Sequence, residues 1–445
     1  MAESTTDEAQ VKAHIELFRK LMEKKLFKSY ANTPTSDRAL DTTRIFVLTY
    51  RYHATPQTFV EVLSQFFNTS KKKGRGKLVQ MVLTEWVRVE SQRTLKRAGV
   101  IDYILDLLGL CAGALEVNKL KLQLLKAQKK QPQVLSIDGS NFDILRMVAE
   151  HKPRVFARHM TAVDWEFFSG IEVKEIVFRA WQGDQRHARA PTLSKLAERF
   201  DRVSFWIATC ILNRENDKDR ATVIKYFIRV MGALHSQRNF NSLMMCLSGL
   251  NMSVVQRLKG AWELIKARDR ATFNEIDELM TPISNMGRYR EALTALEAEG
   301  EPVIPYVAMY LRDVTYVFDG NPDFIGEGKR LEINFEKMEL LAKQLGRLKA
   351  YQQQKGAANF TLQKDSADDF VFAIANALPN TEFNEEVLYA KSLIAQPLAG
   401  SGVAPLGLSS SDSGKKISVR RSKDRVSRRT GSMDRKPRSP KNTAS

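Results

Sequence analysis

The chain has 445 residues, 43% of them hydrophobic, enough for two or three domains with real cores, and a net charge of +18. Its three cysteines, Cys111, Cys210 and Cys246, are widely spaced among apolar neighbours, which argues against a disulfide framework or a zinc site and for a reducing compartment. The charge is not that of a nucleic-acid-binding domain: half the excess, a net of +9, lies in residues 396–445, which carry no aromatic side chain to stack on bases.

In chain order, residues 1–10 are read as a flexible start. The opening MAESTTDEAQ has no basic leader with an apolar core, so a cytoplasmic protein is expected. Val11, Ile15, Phe18 and Met22 recur on one helical face and open an N-terminal bundle assigned to residues 11–126. Thr55 as N-cap and Pro56 at the first helical position predict a helix burying Phe59, Val62, Leu63 and Phe66. Leu78, Met81, Val82, Trp86 and Val89 predict the next. The longest uncharged apolar stretch, residues 107–115, is far shorter than the roughly 18 residues a spanning helix needs.

Residues 127–147 read as a linker and 148–395 as a larger helical domain. Its prolines, at 153, 191, 282, 302, 305, 322 and 379, are expected at helix ends rather than interiors. Ile224, Phe227, Ile228, Met231 and Leu234, and later Phe335, Met338, Leu341, Leu345 and Leu348, have helical spacing. Between Arg270 and Ala298 the pattern of Phe273, Ile276, Leu279 and Met280 breaks at Thr281-Pro282 and resumes near Tyr289, which predicts a helical hairpin. Residues 396–445 hold too few large apolar side chains to fold and form a disordered basic tail. The fold class is all-α: two helical domains, a protruding hairpin and the tail.

No pattern for covalent catalysis appears, and neither a cofactor nor a metal is expected. Residues 71–77, KKKGRGK, precede a helix without a preceding strand and read as an interhelical loop. Residues 326–330, GEGKR, lack the earlier Gly and the following Ser/Thr of a phosphate-binding loop. The six histidines do not fall at metal-binding spacing.

Residues 236–258, SQRNFNSLMMCLSGLNMSVVQRL, resemble the catalytic helix of Ras-family guanine-nucleotide exchange factors. The resemblance runs upstream through Ala157-Arg158-His159-Met160-Thr161, Trp181, Pro191-Thr192-Leu193 and Ser204-Phe205-Trp206. Downstream it takes in Pro305-Tyr306, Tyr310-Leu311-Arg312-Asp313, Gly320-Asn321-Pro322-Asp323 and Ile333-Asn334-Phe335. Phe46-Val47-Leu48-Thr49-Tyr50-Arg51 with Thr55-Pro56 is similar to the Ras exchanger motif that precedes the catalytic domain in that family.

The resemblance implies a non-covalent exchange catalyst whose partner is a small GTPase of the Ras, Rap or Ral group. The helix around Asn251 would lie under switch II, and the hairpin would displace switch I. It therefore marks Asn239, Asn241, Asn251 and Ser253 on the helix, and Leu279, Met280, Ile283 and Asn285 near the hairpin tip, as GTPase contacts. Asp201 joins them because Phe200-Asp201 stands where many members have Phe-Asn, bringing a carboxylate to the interface. Hydrogen bonding of these amides inside the domain is the alternative, and a GTPase scaffold of the same fold without exchange activity is the alternative function. Ser422, Thr430 and Ser439 in the tail resemble kinase sites, and the tail's charge suits an anionic membrane surface.

Overall fold

Thr55 caps the helix that follows it, its Oγ1 accepting from the Thr58 amide at 3.1 Å, and this local agreement of sequence and structure recurs along the chain. The computed structural model describes residues 2–27, 37–68, 75–90, 95–96, 98–111, 118, 142–362 and 369–397. These belong to one compact unit. Most of the assigned linker, most of the 71–77 loop, and the tail with Ser422, Thr430 and Ser439 lie outside the described residues.

The N-terminal helices are α1 (Ala2–Leu21), α2 (Asp37–Thr49), α3 (Pro56–Asn68), α4 (Arg75–Val89) and α5 (Ile101–Cys111). A wide π-helical turn, Met22–Phe27, closes α1. Their core contains the predicted Phe18, Met22, Phe59, Leu63, Val82 and Trp86, all with essentially no exposed surface. The Trp86 ring meets Tyr50 and Phe59 edge-on at 5.6 and 5.0 Å, the geometry aromatic quadrupoles prefer.

The rest comprises α6 (Ile144–Glu150), α7 (Pro153–Gly170), α8 (Val173–Ile176), α9 (Arg186–Arg189), α10 (Pro191–Leu212), α11 (Asp217–Ser236), α12 (Phe240–Asn251), α13 (Ser253–Gln256), α14 (Lys259–Glu263), α15 (Ala267–Leu279), α16 (Ile283–Glu299), α17 (Val307–Gly320), α18 (Phe335–Gln352), α19 (Asp369–Ala377) and α20 (Glu385–Ala395). Among the described residues the strands are β1 (Phe324–Ile325) and β2 (Glu332–Ile333), an antiparallel ribbon around the 326–330 loop. The fold is all-α. Pro153 and Pro191 open helices, and none of the other five prolines lies inside one. Among the described residues no helix is long and apolar enough to cross a membrane.

The centre is α12, packed on α10 and α11, with α7 closing the other side. Contact between α10 and α12 is close because of Gly249: a Cβ there would lie 2.8 Å from the Ser204 carbonyl oxygen. The N-terminal helices lean on this body through α2, which packs along α18. Phe46 meets Phe335 at 5.7 Å, Tyr52 meets Phe178 and Phe318, and Lys24 pairs with Glu332 at 2.9 Å.

Candidate functional site

Asn251, the last residue of α12, is exposed, and its Nδ2 donates to Asp277 Oδ1 on α15 at 2.7 Å. Gln256 supports it from below, donating to Asn251 Oδ1 at 3.3 Å and to the Leu250 carbonyl at 3.0 Å. Ser253 lies exposed beside it at the start of α13. The end of the central helix is thereby tied to the first helix of the hairpin.

Asn239 and Asn241 do not share that surface. About 100° per residue turns Asn241 and Asn251, ten residues apart, roughly 80° away from each other around the helix. Asn241 faces inward and donates to the buried Asp164 at 3.3 Å, while Asn239 caps α12, accepting from the Ser242 amide at 3.1 Å and donating to Thr161. Both are covered by the domain. Their assignment as partner contacts is corrected here: a buried amide needs an internal partner, and each has one. Asp164 completes the network, accepting from Ser242 Oγ at 2.6 Å and Arg199 Nε at 3.0 Å, and Arg199 continues to the Ala375 carbonyl at 2.7 Å.

The hairpin differs from its sequence pattern at the turn. The second helix starts at Ile283, well before Tyr289, and its first turn is unwound by Ser284, Asn285 and Met286, with φ of 52°, 55° and 60°. Left-handed geometry costs non-glycine residues roughly 1–2 kcal/mol each, least for Asn. The three apolar candidates separate accordingly. Met280 is 1% exposed and Leu279 half-buried, whereas Ile283 is 73% exposed. Met280 is therefore core, a second correction: at the end of α15 it joins the buried hydrophobic cluster instead of the surface. Asn285 is exposed, its Oδ1 accepting from Arg312 Nη2 at 2.6 Å and its carbonyl from Arg290 Nε at 2.8 Å.

Asp201 sits on the exposed face of α10 with no hydrogen bond or ion pair to the other candidates, and partial burial pushes its carboxyl above the usual range. The structure thus brings together Asn251 and the hairpin, with Ser253 beside Asn251 and Leu279, Ile283 and Asn285 at the hairpin turn. Residues the sequence reading left unassigned complete the set: Asp277 holds Asn251, and Arg290, Arg312 and Asp313 hold the tip, Arg290 pairing with Asp313 at 2.8 Å. No spacing rule links position 251 to 277 or 285 to 312. Arg312 and Asp313 stood in the family motif without a role.

The exposed end of α12 and the hairpin turn therefore form one continuous surface, with Ile283 exposed on it. Residues 155–339 match the RasGEF domain family. It is 29% identical to Ras guanine nucleotide exchange factor J of Dictyostelium discoideum over 405 residues, 82% of this chain and 47% of that protein. Over 187 residues it is 31% identical to the Ras-specific guanine nucleotide-releasing factor RalGPS1 of Gallus gallus, 42% of this chain and 31% of that protein. A Rap guanine nucleotide exchange factor of Caenorhabditis elegans is 34% identical over 192 residues, 43% of this chain and 13% of that protein. The chain spans about half the length of the first of these relatives and less of the others.

Proposed function

We propose that this protein is a guanine-nucleotide exchange factor for a Ras-family small GTPase, with residues 148–395 as the catalytic domain. The observation that carries the reading is the Asn251–Asp277 bond, which makes the exposed end of α12 and the hairpin one surface. The RasGEF match over 155–339 and relatives named for Ras, Ral and Rap support it. They do not favour one GTPase over another.

A small GTPase holds its nucleotide through a phosphate loop, Mg²⁺ and switch contacts. An exchange factor makes no bond; it binds the nucleotide-free form preferentially. By linkage, the factor by which its affinity rises when nucleotide leaves equals the factor by which nucleotide affinity falls when it is bound. A million-fold weakening corresponds to about 8 kcal/mol of differential binding. In this reading the hairpin tip, with Ile283 foremost, displaces switch I. Asn251 and Ser253 hold switch II in a form that disturbs the phosphate and Mg²⁺ site.

The helices over 11–126 are proposed to be a Ras exchanger motif that braces the hairpin. Their contact runs through α18, which packs on α2 on one side and reaches α16 through Arg347 and Glu297 on the other. The basic tail is proposed to attract anionic lipid, at about 1 kcal/mol per basic residue near the surface. Labelled-GDP release measured over a panel of purified Ras, Rap and Ral GTPases tests the exchange reading. Acceleration on at least one member is the expected result, and stable docking without acceleration would instead make the protein a scaffold.

A further inference from the structure

The hairpin tip is held in a shape its sequence does not favour. Three successive residues, none of them glycine, are left-handed, and such geometry persists only where the surroundings over-determine it. Met286 is anchored in the core. Asn285 is gripped at two atoms, its carbonyl by Arg290 of the hairpin and its Oδ1 by Arg312 of α17. Arg290 is in turn fixed by Asp313, the neighbour of Arg312. One grip thus comes directly from α17, through Arg312, and the other is held in place by its neighbour Asp313.

The geometry of Arg312 suits this task. Its Nε is buried without a hydrogen-bond partner among the described residues, and its Nη2 donates to Asn285 Oδ1. That bond joins a charged donor to an amide oxygen at 2.6 Å, and a charged donor makes the stronger kind of hydrogen bond. On the other side of the strained turn stands Ile283, the most exposed of the large apolar side chains described. If the turn relaxed to right-handed helix, Ile283 would rotate around the axis with it.

We propose that Arg312 is a positioning residue for nucleotide exchange. Through Asn285 it fixes the left-handed turn and so presents Ile283 to the partner GTPase. The inference rests on the exchange reading and adds to it a residue that controls the shape of the tip without touching nucleotide.

The test uses the full chain with Arg312→Ala and Arg312→Lys. Three quantities are read: steady-state release of labelled GDP from the most responsive GTPase of the panel, amide hydrogen exchange over residues 281–290, and the melting temperature. Arg312→Ala is expected to lower kcat about tenfold while KM changes less than about twofold. Amides of residues 283–287 exchange faster, and melting stays close to wild type. Lysine, which restores one charged donor, recovers part of kcat. A wild-type kcat in Arg312→Ala, or a loss of activity that follows a large fall in melting temperature, overturns the proposal. If the wild-type chain releases nucleotide from no member of the panel, the exchange reading fails. Amide exchange then decides the clasp, and unchanged protection of 283–287 in Arg312→Ala refutes it.

Discussion

Arg347 on α18 donates to Glu297 near the end of α16 at 2.9 Å, and one residue earlier Gly346 lies against Leu48 of α2. One turn further along α18, Tyr351 donates to the same Glu297 carboxylate. A single helix thereby touches the N-terminal bundle on one flank and the second hairpin helix on the other.

If that helix transmits support, loosening the bundle should reach the hairpin. Trp86 has no exposed surface and packs edge-on to Tyr50 and Phe59. Trp86→Ala is predicted to cost about 3–5 kcal/mol, the usual range for a buried aromatic. Denaturant unfolding of the full chain measures this. Exchange should fall more than affinity for the nucleotide-free GTPase. A variant unfolding at the wild-type midpoint would contradict the packing.

Met280 and Ile283 give the hairpin a paired test, since they differ in exposure by 1% against 73%. Met280→Ala should destabilise the protein by about 2–5 kcal/mol. Ile283→Asp should leave stability within about 0.5 kcal/mol, as exposed substitutions do, while slowing nucleotide release at least tenfold, about 1.4 kcal/mol. Melting curves and release assays on both variants separate core from contact. An Ile283→Asp variant with full exchange activity would remove Ile283 from the interface.

These two residues also show how far the sequence was legible. Period and caps were local, so Thr55-Pro56, the Phe59 and Trp86 faces and the hairpin itself followed from spacing alone. The family motif located α12, yet it did not distinguish its ends. Asn241 and Asn251 look alike in sequence and are separated only by rotation of the helix and by Asp164, a buried partner 77 residues from Asn241. The left-handed turn at 284–286 was invisible for a related reason: no glycine marks it, and what holds it is Arg312 on another helix.

Gly249 makes a prediction of opposite character, a change that adds rather than removes atoms. A Cβ there would stand 2.8 Å from the Ser204 carbonyl and 3.0 Å from Ile207 Cβ, and both belong to the rigid packing of α10 on α12. Gly249→Ala gains helix propensity, worth about 1 kcal/mol. Overpacking of about 1–3 kcal/mol opposes it. A net loss of stability is predicted, together with weakened exchange because α12 must shift. Equal or higher stability would show that the two helices separate without cost.

The junction between α1, the turn after α2 and the ribbon carries a pH dependence. His14 Nε2 and His53 Nδ1 are 3.1 Å apart, and the His14 ring packs on Phe324 at 5.0 Å. Burial pushes the His53 imidazole down to about 3, with His14 as a neighbouring positive charge when protonated; Asp323 opposes the shift and Lys337 adds to it. His14 is lowered as well, chiefly by burial. A histidine whose folded-state pKa lies below its unfolded value near 6.5 favours the folded chain above that pH. On acidification the unfolded state takes up protons first, so stability falls as pH drops from about 6.5 towards 3 and levels off below. Unfolding midpoints in denaturant, measured from pH 7.5 down to pH 4.5, should decline in the wild type. In His53→Gln the decline should be shallower, because the substituted side chain does not titrate. Parallel curves for the two proteins would mean that His53 titrates in the fold as it does in the unfolded chain.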